Sequence, residues 1–176
     1  MVLHIIFYIF INQIYNQKNG IFAKIFILKR DMGRIMAIDY GQKRTGIAVT
    51  DDLQLIANAL TTVPTASLFD FLHQYLLKEH VELIVVGEPK QVNNQASDSS
   101  KYIHPFLLRL KKEFPDIAVA RMDERFTSKM AFQTMIDAGL GKKARQNKAL
   151  VDSISATIIL QSYMESMEFK KRKEEK

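Results

Sequence analysis

The stretch RIMAIDYGQKRTGIAVT, residues 34–50, decides how the rest of the chain is read. Ile35–Asp39 is a nearly unbroken apolar run ending in an acid, as expected of a strand buried on both faces. Thr45–Thr50 is rich in β-branched residues, and the turn Tyr40–Arg44 makes it the antiparallel partner of a hairpin. Ile56–Val63, stopped by Pro64, supplies a third strand.

From there the chain alternates. Ser67–His80 carries Leu68, Phe69, Leu72, Leu76 and Leu77 at helical spacing, with Ser67 as the candidate N-cap. Val81–Val86 is another buried-type strand, ended by Gly87-Glu88-Pro89. Lys90–Ser99 is polar and reads as a loop, Lys101–Phe114 as a helix, Ile117–Met122 as a strand and Thr127–Ala138 as a helix. Gly139–Gln146 is a basic, glycine-containing loop, and Asn147–Phe169 is a long final helix. Three leading strands followed by α/β alternation predict an α/β domain, a mixed five-stranded sheet flanked by helices.

The flanks read differently. Met1–Phe10 and Ile21–Leu28 are mostly apolar around a polar middle, and neither run approaches the roughly 20 residues needed to span a bilayer. Without a basic leader and small residues at a cleavage site, this is not a signal-peptide pattern. Residues 1–31 are read as an extension outside the domain, a translated upstream stretch with the start at Met32. A weak membrane-surface anchor or an added element on the core are the alternatives. Residues 32–169 form the domain, and 170–176 a charged, frayed tail.

The chain has 176 residues, enough for one ordinary core. It contains no cysteine, which excludes disulfides, thiolate metal sites and a cysteine nucleophile and fits the cytoplasm. The net charge of +6 overstates how basic the body is. Lys18, Lys24, Lys29 and Arg30 fall in a segment without acids, leaving 21 bases against 19 acids elsewhere. A polyanion partner is allowed by this balance but not required.

Chemistry is sought among the acids, because the four histidines show no ligand spacing. Asp39 ends an apolar strand, where a carboxylate is costly unless paired, hydrogen-bonded or metal-bound; the alternative is a turn residue supporting Gly41. Glu124 follows the strand Ile117–Met122, at the kind of strand end where α/β sheets gather ligands; alone, it reads first as a solvated loop acid or one helping to cap the helix Thr127–Ala138. Asp152 shares a helical face with Ser155, Ala156 and Ile159, small or apolar residues that suit close approach to a sheet. An exposed pair with Lys148 is its alternative.

Together these acids can form an oxygen site for Mg²⁺ or Mn²⁺. Two such ions, roughly 3.5–4 Å apart, can activate water against a phosphodiester. Lys43, Arg44, Arg125, Lys142, Lys143, Arg145 and Lys148 are the candidate phosphate contacts, although any single lysine among them reads first as ordinary surface charge.

MAIDYGQKRTGIAVT at 36–50, IVVGEPKQVNN at 84–94, MDERFTS at 122–128 and NKALVDSISATIILQSY at 147–163 resemble, in order, the four motifs of the YqgF (RuvX) family. The resemblance spans roughly residues 34–165. It implies a ribonuclease H-like fold related to the RuvC resolvases, with metal-binding acids at Asp39, Glu124 and Asp152. It implies a nuclease that processes the 5′ end of the small-subunit ribosomal RNA precursor or cuts branched DNA at a Holliday junction.

Two positions depart from the family pattern. Ser128 stands where a threonine is common and keeps the hydroxyl. Glu88 stands where an apolar residue is common, and reads as a solvated loop acid or a fourth ligand. The expected partner is nucleic acid, with no membrane, and the protein acts as a monomer or homodimer. Two other classes compete: a non-catalytic nucleic-acid-binding assembly factor, and an actin-like phosphotransferase, whose phosphate hairpin Ile-Asp-Tyr-Gly resembles. The latter binds nucleotide between two such domains, and about 140 residues supply only one.

Overall fold

The computed structural model describes residues 33–88, 100–123 and 127–174. Its strands are β1 (Arg34–Tyr40), β2 (Arg44–Thr50), β3 (Ala57–Pro64), β4 (Val81–Glu88) and β5 (Ala118–Asp123). They form one sheet in the order β3-β2-β1-β4-β5. β1, β2 and β3 pair antiparallel, whereas β4 runs parallel to both β1 and β5. This is the mixed five-stranded α/β sheet expected from the sequence. The helices are α1 (Leu68–Leu76), α2 (Ser100–Glu113), α3 (Thr127–Asp137), α4 (Lys142–Arg145) and α5 (Lys148–Glu174).

Side chains alternate across a strand, and the two faces of this sheet are built differently. Met36 and Ile38 of β1, Ile47 and Val49 of β2 and Ile84 and Val86 of β4 pack with Leu68, Phe69 and Leu72 of α1 and with Phe106 and Leu110 of α2. The opposite face is made of smaller residues. Ile35, Ala37, Ala48 and Val85 meet Ala156, Ile159 and Leu160 of α5. By the same alternation Asp39 and Gly46 belong to this second face.

Gly46 is where the helix comes closest. A Cβ added there would lie 2.0 Å from the backbone oxygen of Asp152 and 3.1 Å from the nitrogen of Ser153. Both are backbone atoms, so only glycine fits without moving the helix. Thr62, the β3 partner of Gly46, donates its hydroxyl to the Ala149 carbonyl at 2.7 Å. The start of α5 is thereby fixed across β2 and β3.

Several expectations need correction. Ser67 makes no side-chain capping bond, because a 3-10 turn at Thr65–Ser67 leads into α1 and leaves Ser67 without the extended backbone a cap uses. That helix ends at Leu76, short of His80. The basic segment 139–146 contains the helical turn α4. The final helix, expected to end at Phe169, continues as α5 to Glu174. The proposed extension at residues 1–31 and the whole of the loop Lys90–Ser99 lie outside the described residues. No helix among the described residues is long and apolar enough to cross a membrane.

Gly46→Ala is expected to cost about 3 kcal/mol, the upper range for forcing a methyl into a packed contact. A shift of the urea midpoint to lower concentration with an unchanged slope would show it.

Candidate active site

Asp39 is the next-to-last residue of β1 and pairs in register with Gly46. Because Gly46 touches the backbone of Asp152, two acids 113 positions apart meet at one place on the sheet. Asp152 stands on the first turns of α5, on the helical face that continues through buried Ser155, Ala156, Ile159 and Leu160. Its partner is Arg44, whose Nε donates to Oδ2 at 2.8 Å. The expected alternative, a surface pair with Lys148, is not what the acid forms.

The two carboxylates are unequal. The Asp39 carboxyl is pushed up to about 7, first by loss of water and then by the nearby negative charge of Asp152. No cation or donor among the described residues offsets it. An acid at a strand end, short of water and facing a second acid, is a poor arrangement in isolation. It is a good one for a hard divalent cation, which would take carboxylate oxygen from both. The donor set therefore fits Mg²⁺ or Mn²⁺. Among the described residues no third acid completes a cluster. Glu124 and Arg125 lie outside those residues.

Glu88 is excluded from the cluster by alternation. It is the last residue of β4, on the same face as Ile84 and Val86 and so on the other side of the sheet from α5. Its carboxylate forms an ion pair with Arg121 of β5. It is a strand-end acid in a cross-strand pair, neither a loop acid nor a ligand beside Asp39.

The basic candidates divide. Lys43 is exposed in the turn before β2, and Lys142, Lys143 and Lys148 are exposed on α4 and at the start of α5. Lys148 is one helical turn before Asp152, so it shares that acid's side of the helix. Arg145 is half-buried, with its guanidinium 5.7 Å from the centre of the Phe132 ring. Its Nε has no acceptor among the described residues. Arg44, read from the sequence as a phosphate contact, faces inward to Asp152. The β1–β2 turn that carries it is tied down by Thr65, which donates from its hydroxyl to the Gly41 carbonyl at 2.6 Å and from its N–H to the Lys43 carbonyl at 3.1 Å.

Sequence reasoning missed the Arg44–Asp152 pair, the Thr62 anchor and the role of Gly46. Only the last had a signal: a glycine inside a β-branched strand marks a close approach by another element.

The Holliday junction resolvase family model, RuvX, matches residues 33–166. A protein of Bacteroides thetaiotaomicron is 64% identical over 138 residues, which cover 78% of this chain and 100% of the relative. One of Flavobacterium johnsoniae is 61% identical with the same coverage. Both carry the name "Putative pre-16S rRNA nuclease". Among solved structures, RuvC of T. thermophilus in complex with a Holliday junction substrate aligns with a TM-score of 0.47 and 19% identity, covering 77% of this chain and 96% of that one.

The Asp39 carboxyl gives a signed pH dependence. Its folded value, about 7, exceeds its starting value of 3.8. Its ionisation therefore costs nothing below the unfolded value and progressively destabilises the fold as pH rises toward 7. In chelator-treated protein, Asp39→Asn is expected to raise Tm at pH 8 and to change it little at pH 4. An equal shift at both pH values would contradict the assignment.

Proposed function

The chain belongs to the RuvX family, and on that footing we propose that it is a divalent-metal-dependent nuclease that processes the 5′ end of the small-subunit ribosomal RNA precursor. The observation that carries this reading is the meeting of Asp39 and Asp152 across Gly46, with the buried Asp39 carboxylate in no ion pair among the described residues. The names of the relatives supply the substrate.

Asp39, Asp152 and Glu124 hold the metal in this proposal. Glu124 stands two positions after Met122, a β5 residue packed on the α5 face. Bound Mg²⁺ or Mn²⁺ supplies a more acidic water and offsets charge on the phosphodiester. The remaining work falls to the chain itself. The β1 and α5 backbones fix the two acids before substrate arrives, which removes reorganisation from the reaction step. Lys43, Lys142, Lys143 and Lys148 attract the phosphate backbone, with Arg125 and Arg145 assigned the same role. These contacts carry no sequence information, so the binding they provide weakens as salt rises. The site of action is the cytoplasm, and one active centre suffices to trim an RNA end, so a monomer is competent.

A second reading, cleavage of branched DNA, is favoured by the description of the family model. Symmetric cutting of a junction needs two centres related by a two-fold axis, and hence a homodimer.

A side-by-side assay on a ribosomal precursor and a four-way junction tests both readings. Cleavage of the precursor is expected, with a loss of about 10²–10³-fold for Asp39→Asn, the scale of removing one electrostatic group from a catalytic centre. EDTA is expected to abolish it. Activity unchanged by both treatments would overturn the metal-nuclease reading. Junction cleavage without precursor cleavage would select the second substrate.

A further inference from the structure

We infer that Arg44 is a latch on Asp152, a positioning residue that holds the acid's Oδ2 in the resting protein and yields it when a divalent cation binds, turning its guanidinium to the substrate phosphate. The inference rests on the metal-dependent reading above.

The pair is not needed to dock the helix. α5 is already held by the backbone contact at Gly46, by the Thr62–Ala149 hydrogen bond and by Ala156, Ile159 and Leu160 against the sheet. Nor is it a deeply buried bridge that would be costly to open. The side chains are 39% and 25% exposed, a setting in which ion pairs contribute only about 1 kcal/mol or less. It does occupy a carboxylate oxygen that a cation would require. Arg44 therefore competes with metal for Asp152 and, until metal arrives, holds that carboxylate in place.

Opening the latch leaves the arginine where it is useful. Arg44 is the first residue of β2, paired with Pro64, and the turn before it is tied to Thr65. Its backbone is fixed, so only the side chain moves. A guanidinium carries five N–H donors in a planar fork that matches phosphate oxygens, and it stays charged at all working pH values. Next to Asp152 it would meet the phosphate being cut.

A rigid structural tether and a latch predict opposite signs for metal affinity. Mn²⁺ binding is measured by calorimetry on the full chain without substrate, for wild type, Arg44→Ala and Arg44→Lys. A competing pair of about 1 kcal/mol corresponds to about fivefold in affinity, so Arg44→Ala is expected to bind Mn²⁺ about fivefold more tightly, with Arg44→Lys in between. Over the same series kcat/KM on the RNA precursor is expected to fall, because the phosphate contact is lost. Mn²⁺ binding that is weaker or unchanged in Arg44→Ala would overturn the latch, and so would undiminished kcat/KM.

If Arg44→Ala lacks the wild-type circular dichroism, Arg44→Gln, which keeps the stem, takes its place in the comparison. Asp39→Asn separates the two levels of the account. Loss of Mn²⁺ binding in that variant, without tightening in Arg44→Ala, removes the latch alone. Binding of Mn²⁺ by neither wild type nor any variant removes the metal reading and the latch together.

Discussion

One contact sets the geometry of this molecule: the backbone of α5 at Asp152 resting on the bare α-carbon of Gly46. A helix usually stands off a sheet by the length of the side chains between them. Here the second strand offers glycine and alanine, the first offers alanine, and the helix answers with Ser155 and Ala156. The other face, filled by Met36, Ile38, Phe69 and Phe106, is a conventional thick core. The thin face brings a helical carboxylate down to the level of a strand carboxylate. Without that closeness the chain would hold two unrelated acids.

The electrostatics follow from the packing. Burial, and after it the neighbouring charge of Asp152, raises the Asp39 carboxyl, which has no ion-pair partner among the described residues, while Asp152 is tied to Arg44. A fold selected only for stability would have an apolar residue at Asp39, since the neighbouring Ala37 and Ala48 make no demand for charge. Local inconsistencies of this kind, where the sequence breaks the rules that the rest of the core obeys, are expected at functional sites. In the proposed function a bound cation would offset that cost, and the same imbalance makes the metal-free protein sensitive to pH.

The sequence makes the sheet legible because its strands are short apolar runs bounded by glycine, proline or acids. Ile35–Asp39 and Val81–Val86 correspond to β1 and β4 to within two residues at each end. Asp39 and Asp152 were identifiable from context, one as an acid closing a buried strand, the other as an acid on the small-residue face of a helix. Their adjacency was not, because it depends on which strand α5 crosses. Arg44 shows the limit most clearly. Its partner lies 108 positions away, and nothing local distinguishes it from Lys43. Glu88 was misread for a different reason: the strand runs two residues beyond Val86, and its alternation turns the carboxylate to the far side. At the helix ends the errors are those of local chemistry, with Ser67 in a 3-10 turn and α4 formed within a glycine-containing segment.

In the proposed function Asp39 and Asp152 are ligands of a common ion at the Gly46 contact. A crystal structure of the wild-type protein soaked in Mn²⁺, with anomalous scattering recorded near the manganese edge, tests this directly. The expected result is an anomalous peak within coordination distance of carboxylate oxygens from both residues. A peak bound elsewhere, or none at saturating Mn²⁺ with both carboxylates ordered, would contradict it.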